Sequence, residues 1–188
     1  MTEPRPATKA PKWLVPHPLF PPPPGVNVRA DFSRKPEGHL GITFTVVAPA
    51  GALAWHGEGL AGRTDELWRH GCLEVFLAGE GDSYLEINLA PTERWAAYAF
   101  DRYRDGMRNA EVSIAKMHWT PRLALSIPRY EMSAVMRLPA EMRGVIWRLN
   151  ITAVIEAKDG SKSYWALAHP PGAPDFHNRD GFVAILPA

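Results

Sequence analysis

Two glutamates and an asparagine fall on one side of a short alternating stretch. In CLEVFLAGEGDSYLEINLAP, residues 72–91, Leu73, Val75 and Leu77 alternate with Cys72, Glu74 and Phe76; Leu85, Ile87 and Leu89 alternate with Tyr84, Glu86 and Asn88. If 72–78 and 83–90 pair through the turn GEGDS, both carboxyls share a sheet face, opposite a plain aliphatic one. Like charges on one face repel, and burial adds a desolvation cost that raises a carboxyl pKa. An arginine, a metal or a hydrogen-bonding ligand must offset this. Three uses fit. Carboxylates and an amide beside aromatic rings suit a hydroxyl-rich ligand. Two carboxyls on adjacent strands suit acid–base chemistry of the glycosidase kind. Alternatively the face is covered by the rest of the chain, with Arg102 or Arg104 as salt partner.

Two further clusters carry chemistry. WAAYAFDRYRDGM sets Trp95, Tyr98, Phe100 and Tyr103 beside Arg102, Arg104 and Arg108. Arginine beside aromatics clamps a carboxylate or stacks on a ring, or simply marks a solvated strand end. In WALAHPPGAPDFHNRDGF, His169 and His177 flank a loop stiffened by Pro170, Pro171 and Pro174, with Asp175 and Asp180 nearby. Such a set binds a metal with a strand carboxylate as third ligand, or hydrogen-bonds the loop backbone. Cys72 is the single cysteine; mid-strand, it reads as a buried, inert thiol.

Elements that must position these residues follow from period-two patterning. Strands are expected from Val26 to Ser33, over 40–46, 72–78, 83–90, 94–101, 112–119, 122–128, 130–138, 145–157, 163–169 and 181–187. Asp159-Gly160 marks a hairpin turn. LPAEMRG, 138–144, has room for one helical turn, and no long helical stripe exists. Many short strands joined by Gly and Pro turns predict an all-β antiparallel β-sandwich, jelly-roll or immunoglobulin-like. Nine of the nineteen prolines lie in the first 24 residues. Residues 1–25 therefore read as a Pro-rich arm, anchored by Trp13, Leu14, Leu19 and Phe20, ahead of a single ligand-binding domain over 26–188.

Composition narrows the function. A net charge of +1 with scattered basic residues gives no footprint for nucleic acid or an anionic membrane. No apolar window is long enough for a transmembrane helix, and the N-terminus lacks a secretory h-region, so a cytoplasmic location is the expectation. Dinucleotide, phosphate-loop, nucleophile-elbow, HExxH and CxxCH motifs are all missing. Seven tryptophans are many for 188 residues and read as core fillers or as stacking platforms for flat ligands.

The blocks ELWRHGCLEVFLAG, YLEINLAPTERWAAYAFDRYRDGM and SYWALAHPPGAPDFHNRDGF resemble the small bacterial DOMON-like proteins. Their domain is similar to the family 9 carbohydrate-binding modules. The resemblance spans most of 26–188 and is most specific over 65–107. It implies a β-sandwich with a concave sheet that binds sugar or haem. It also implies that Glu74 is the acidic residue of the shared strand motif, with Glu86 and Asn88 on the next strand. Trp68, Trp95 and Trp165 are candidates for the sugar-sandwiching tryptophans. The expected function is thus a non-catalytic, saccharide-binding module without a cofactor, contacting its ligand through Glu74, Tyr84, Glu86, Asn88, Trp95, Arg102, Arg104, His169 and His177. The alternatives are a glycosidase-like enzyme and a b-type haem electron carrier with Met and His axial ligands.

Overall fold

A computed structural model describes residues 11–56, 59–123 and 126–188. In chain order the strands begin with β1 (Lys12–Trp13), β2 (Val15–Pro16), β3 (Asn27–Arg34), β4 (His39–Val47) and β5 (Gly62–Arg63). There follow β6 (Cys72–Ala78), β7 (Tyr84–Ala90), β8 (Arg94–Phe100), β9 (Arg108–Asn109) and β10 (Ser113–Arg122). The last four are β11 (Arg129–Arg137), β12 (Trp147–Glu156), β13 (Lys162–Ala166) and β14 (Ala184–Leu186). Helical structure among the described residues is confined to five three-residue 3-10 turns, one of them at Ala140–Met142 within the expected turn. None of these is long or apolar enough to cross a membrane.

The strands form two sheets, ordered β1-β3-β4-β11-β10 and β2-β13-β12-β6-β7-β8-β5. Pairing is antiparallel except between β5 and β8. The inner faces interdigitate as the alternation requires. Val28, Phe44, Val46, Met132 and Met136 from the first sheet meet Leu73, Val75, Ile87, Leu149 and Ile151 from the second, all fully buried. Each such side chain contributes about 1.5–3 kcal/mol of burial. This is the antiparallel sandwich that the alternation predicts.

One expected strand does not form among the described residues. Arg122 ends β10, Leu123 lies in a turn, and Ser126 and Ile127 are bends, with Ala124 and Leu125 outside the described residues. The segment 122–128 connects β10 to β11, a long hairpin whose register runs from Ser113↔Arg137 to Arg122↔Arg129. A loop rich in apolar residues mimics a strand when read by period alone.

Residues 12–16 step between the sheets: β1 pairs with β3, and β2 with β13. Leu14, between them, points inward and is buried, its N–H donating to the Val28 carbonyl at 2.9 Å. Alternation then turns Trp13 outward, where it is 59% exposed under the Arg29 guanidinium. Leu19 is exposed too, and Phe20 packs edge-on against Tyr164 while remaining 38% exposed. Leu14 and the buried His17, whose N–H donates to the Tyr164 carbonyl at 2.7 Å, hold this segment.

Placement of β13 and β14 matters most for the site. Both lie on the same edge of β12, β13 along Thr152–Glu156 and β14 along Trp147–Leu149, with β6 on the other edge. Between them, residues 167–183 leave the edge and fold over the outer face of the second sheet. Gly181 passes so close to Asn150 of β12 that a Cβ would come within 2.6 Å of its Nδ2.

Candidate functional site

The register of β6 and β7 pairs Glu74 with Asn88 and Phe76 with Glu86. Both glutamates therefore stand on the outer face, as the alternation predicts, joined there by Tyr84, Thr152 and Asn150. That face is buried. Glu74, Glu86, Asn88 and Thr152 are 2%, 6%, 0% and 0% exposed. Two segments cover it. The 64–71 connection brings Leu67 and Trp68, and the 167–183 segment brings Phe176, His177 and Phe182; they pack on Phe76, Tyr84, Tyr98 and Phe100. The ring stack is close, with Tyr84 parallel to Phe100 at 4.8 Å and His177 edge-on to Phe76 at 5.0 Å.

Between the covering segments a cavity of about 470 Å³ remains, in the usual range for a small-molecule site. Its floor is Glu74, Glu86 and Val154, and its walls include Trp68, Tyr164 and Phe176. Arg104, Met107 and His177 line its rim.

Hydrogen bonds fix the polar groups around the glutamates, whereas the buried Asn150 amide on the same face has no partner among the described residues. Asn88 Nδ2 donates to Glu86 Oε1 at 2.7 Å, and Thr152 Oγ1 donates to Glu74 Oε2 at 2.9 Å. The Arg104 backbone N–H donates to Tyr84 Oη at 3.1 Å, which leaves the Tyr84 proton for His177 Nδ1 at 2.7 Å. His177 Nε2 then faces Glu86 Oε2 at 3.7 Å. Arg104 Nη2 and Tyr103 Oη both donate to Asp175, at 2.9 and 2.8 Å, tying the β8–β9 turn to the 167–183 segment. Arg104 adopts a left-handed φ of 54°, and Glu66, at the base of the Trp68 turn, one of 62°. Non-glycine residues take this conformation at a cost, and such strain gathers at functional sites.

The electrostatics follow from burial. Desolvation and the neighbouring Glu86 push Glu74 up to about 8, against the opposing Thr152 hydrogen bond. Burial also raises Glu86, but the Asn88 amide and the Arg104 charge favour its anion. Of the pair, Glu86 is the better placed to carry the charge and Glu74 the proton. Burial, with the Arg104 charge, pushes His177 down to about 4, so its imidazole is neutral near pH 7. Burial raises the Cys72 thiol, and Glu74 and Glu86 raise it further, which makes it a poor nucleophile.

The expected contact residues divide accordingly. Glu74, Glu86, Arg104 and His177 meet in the cavity, and Tyr84 and Asn88 brace them from within the sheet. Trp95 does not join them: it pairs with Leu89 and packs with the sandwich core on the opposite face. Arg102 lies on the exposed turn, paired with Asp105 at 2.5 Å. His169 turns away, its Nε2 donating to the Val15 carbonyl at 2.9 Å, and burial lowers its pKa. Trp165 is a core residue bonded to Ser163, whereas Trp68 stands at the cavity wall. Phe176, Tyr164 and Thr152 are not among the expected contacts. Thr152 carries a local signal, since it shares the parity of Glu74 across β12; Phe176 lies in a loop, where period carries no information.

No protein-family model matches the sequence, and no curated protein matches it. Solved structures do match. A Bacteroides uniformis protein, provisionally described as carbohydrate-binding, superposes with a TM-score of 0.61 at 15% identity, over 91% of this chain and 82% of its own. The two share a fold. A family 9 carbohydrate-binding module from Caldicellulosiruptor kristjanssonii, solved with cellotriose and with glucose, matches at a TM-score of 0.44 and 12% identity. Those matches cover 86% of this chain, and 74% and 76% of the module chains.

Proposed function

We propose that this protein is a non-catalytic saccharide-binding module whose ligand occupies the cavity over Glu74 and Glu86. The observation that carries this reading is a buried set of hydrogen-bonding groups opening between aromatic walls. Glu86 offers an anionic acceptor and Glu74 a carboxyl proton, a complementary pair for vicinal hydroxyls. Trp68, Tyr164 and Phe176 supply flat apolar surface for a sugar face. Support comes also from the fold neighbour in B. uniformis, itself provisionally described as carbohydrate-binding.

The test is calorimetry of mono- and oligosaccharides against the wild type and Glu86→Gln. A charged hydrogen bond is worth about 1.5–3 kcal/mol, so the best ligand should bind the variant roughly 10- to 100-fold more weakly. Trp68→Ala should weaken the same ligand. Equal affinity in wild type and Glu86→Gln removes this site from the proposal.

A second reading rests on Glu74. A carboxyl held near pKa 8 beside a carboxylate is the arrangement of an acid–base pair. Release of reducing sugar from an oligosaccharide, abolished in Glu74→Gln, would favour a glycosidase; an intact ligand after prolonged incubation favours the binding module.

A further inference from the structure

Beyond the cavity, three side chains from three separate elements converge at the end of β12. Extending the β6–β12 register by two residues past Cys72↔Val154 sets His70 beside Glu156. The 48–61 connection is pinned to the same strand end, through the Leu53↔Ala157 bridge and the Ala54 N–H donating to the Glu156 carbonyl at 2.9 Å. That docking delivers His56. His56 Nε2 lies 3.0 Å from Glu156 Oε1, and His70 Nδ1 lies 3.1 Å from Glu156 Oε2. The two imidazoles face each other with centroids 4.2 Å apart, and the three donor atoms all lie within 4.8 Å of one another.

We propose that His56, His70 and Glu156 form a binding site for a divalent first-row transition ion, zinc above all. Donor chemistry selects the class: two imidazoles and one carboxylate suit zinc, whereas calcium and magnesium prefer oxygen donors alone. The spacing suits it too. Ligands at zinc bond lengths of about 2.0–2.1 Å in a tetrahedron stand roughly 3.3 Å apart. Each nitrogen lies near that distance from its own Glu156 oxygen, and the whole donor set lies within 4.8 Å, so rotation of the half-exposed imidazoles is what must draw it to tetrahedral spacing. Glu156 is nearly buried while both imidazoles are about half exposed, so a metal would have a fixed base and an open side for water. On binding, each imidazole shifts tautomer, its proton moving from the nitrogen that now serves Glu156 to the other ring nitrogen by exchange with solvent, and the freed nitrogen becomes the ligand. His70 lies two residues beyond Trp68, and Glu156 two beyond Val154, so the ion would brace one wall of the cavity.

Zinc binding to the full, tag-free chain tests this, by calorimetry and by visible absorption of the cobalt-substituted protein. The expected result is one ion per chain, a cobalt spectrum of low coordination number, and a melting temperature raised by zinc. His56→Ala and His70→Ala alter exposed side chains and should retain the fold, as checked by circular dichroism. Each should weaken zinc by more than about tenfold, the loss that removing even an outer partner can cause. His118→Ala, on the exposed face of β10, should bind like the wild type. Absence of zinc binding in the wild type, or undiminished binding in both site variants, would leave the cluster a hydrogen-bonded brace and overturn the proposal.

Discussion

On the five-stranded sheet, Asp31, Thr43, Glu131 and Ser133 stand partly in solvent; on the other sheet, Glu74, Glu86, Asn88 and Thr152 stand in the same outward parity and are buried. The strands of both sheets alternate alike, and both bury an aliphatic inner face. The difference lies in what the connections do. The five-stranded sheet is joined largely by turns that leave its outer face bare. The second sheet sends 64–71 and 167–183 back across its own. A polar residue on a bare face costs nothing to keep, whereas under a cover it must be hydrogen-bonded or lose its charge. Thr152, Asn88 and the Tyr84–His177 link do the first, and the proton on Glu74 does the second.

The sharpest way to break this contrast is to remove what the cover packs on. Phe76 is 2% exposed and touches the rings of Tyr84, Phe176, His177 and Phe182. Phe76→Ala should cost about 3–5 kcal/mol in urea unfolding. It should also loosen 167–183 ahead of the sandwich, seen as faster amide exchange there. A loss below about 1 kcal/mol would mean that the cover rests on the sheet without stabilising it.

Next in size is the pH dependence of the covered face. Glu74 is raised from 4.5 to about 8 in the folded state, so its contribution to stability is present below pH 4.5 and is lost as pH rises through 8. His177 is lowered from 6.5 to about 4, so its contribution is present above pH 6.5 and is lost as pH falls through 4. The two slopes oppose each other between 4.5 and 6.5; from 6.5 to 8 the carboxyl prevails and the wild type should lose stability. Glu74→Gln keeps an acceptor for Thr152 and a donor in place of the acid proton. Its urea midpoint should therefore decline less than that of the wild type over the upper window. Parallel profiles for the two proteins would show that Glu74 titrates like a solvated carboxylate.

How far these differences could be read beforehand depends on range. Alternation places Glu74, Glu86 and Asn88 on one face because side-chain direction in a strand is a local property. It cannot show what lies above them, since Phe176 and His177 reach the face from about 90 residues away through a Pro-rich loop. In β8 the same rule falters: Trp95 and Ala97 on one side, Tyr98 and Phe100 on the other, are apolar both ways, and only the register to Leu89 assigns Trp95 to the core. His56, His70 and Glu156 have no local signature at all, because their meeting is set by the β6–β12 register and a docked connection.

The smallest expected effect uses the matching substitution on the bare sheet. Glu131 of β11 accepts from Arg122 Nε at 2.9 Å, with side chains 27% and 56% exposed. Solvent screens such a pair, and holding two long side chains together offsets much of the attraction, so it contributes about 0–1 kcal/mol. Glu131→Gln should change the unfolding free energy by less than about 0.5 kcal/mol at low salt and by nothing measurable at high salt. Its profile from pH 6.5 to 8 should run parallel to that of the wild type, unlike that of Glu74→Gln. The two variants make the same chemical change at the same strand parity, one under cover and one in the open. If Glu131→Gln were to alter the profile as much as Glu74→Gln, the cover would not be what sets the proton on Glu74, and the contrast between the faces would have to be sought in net charge instead.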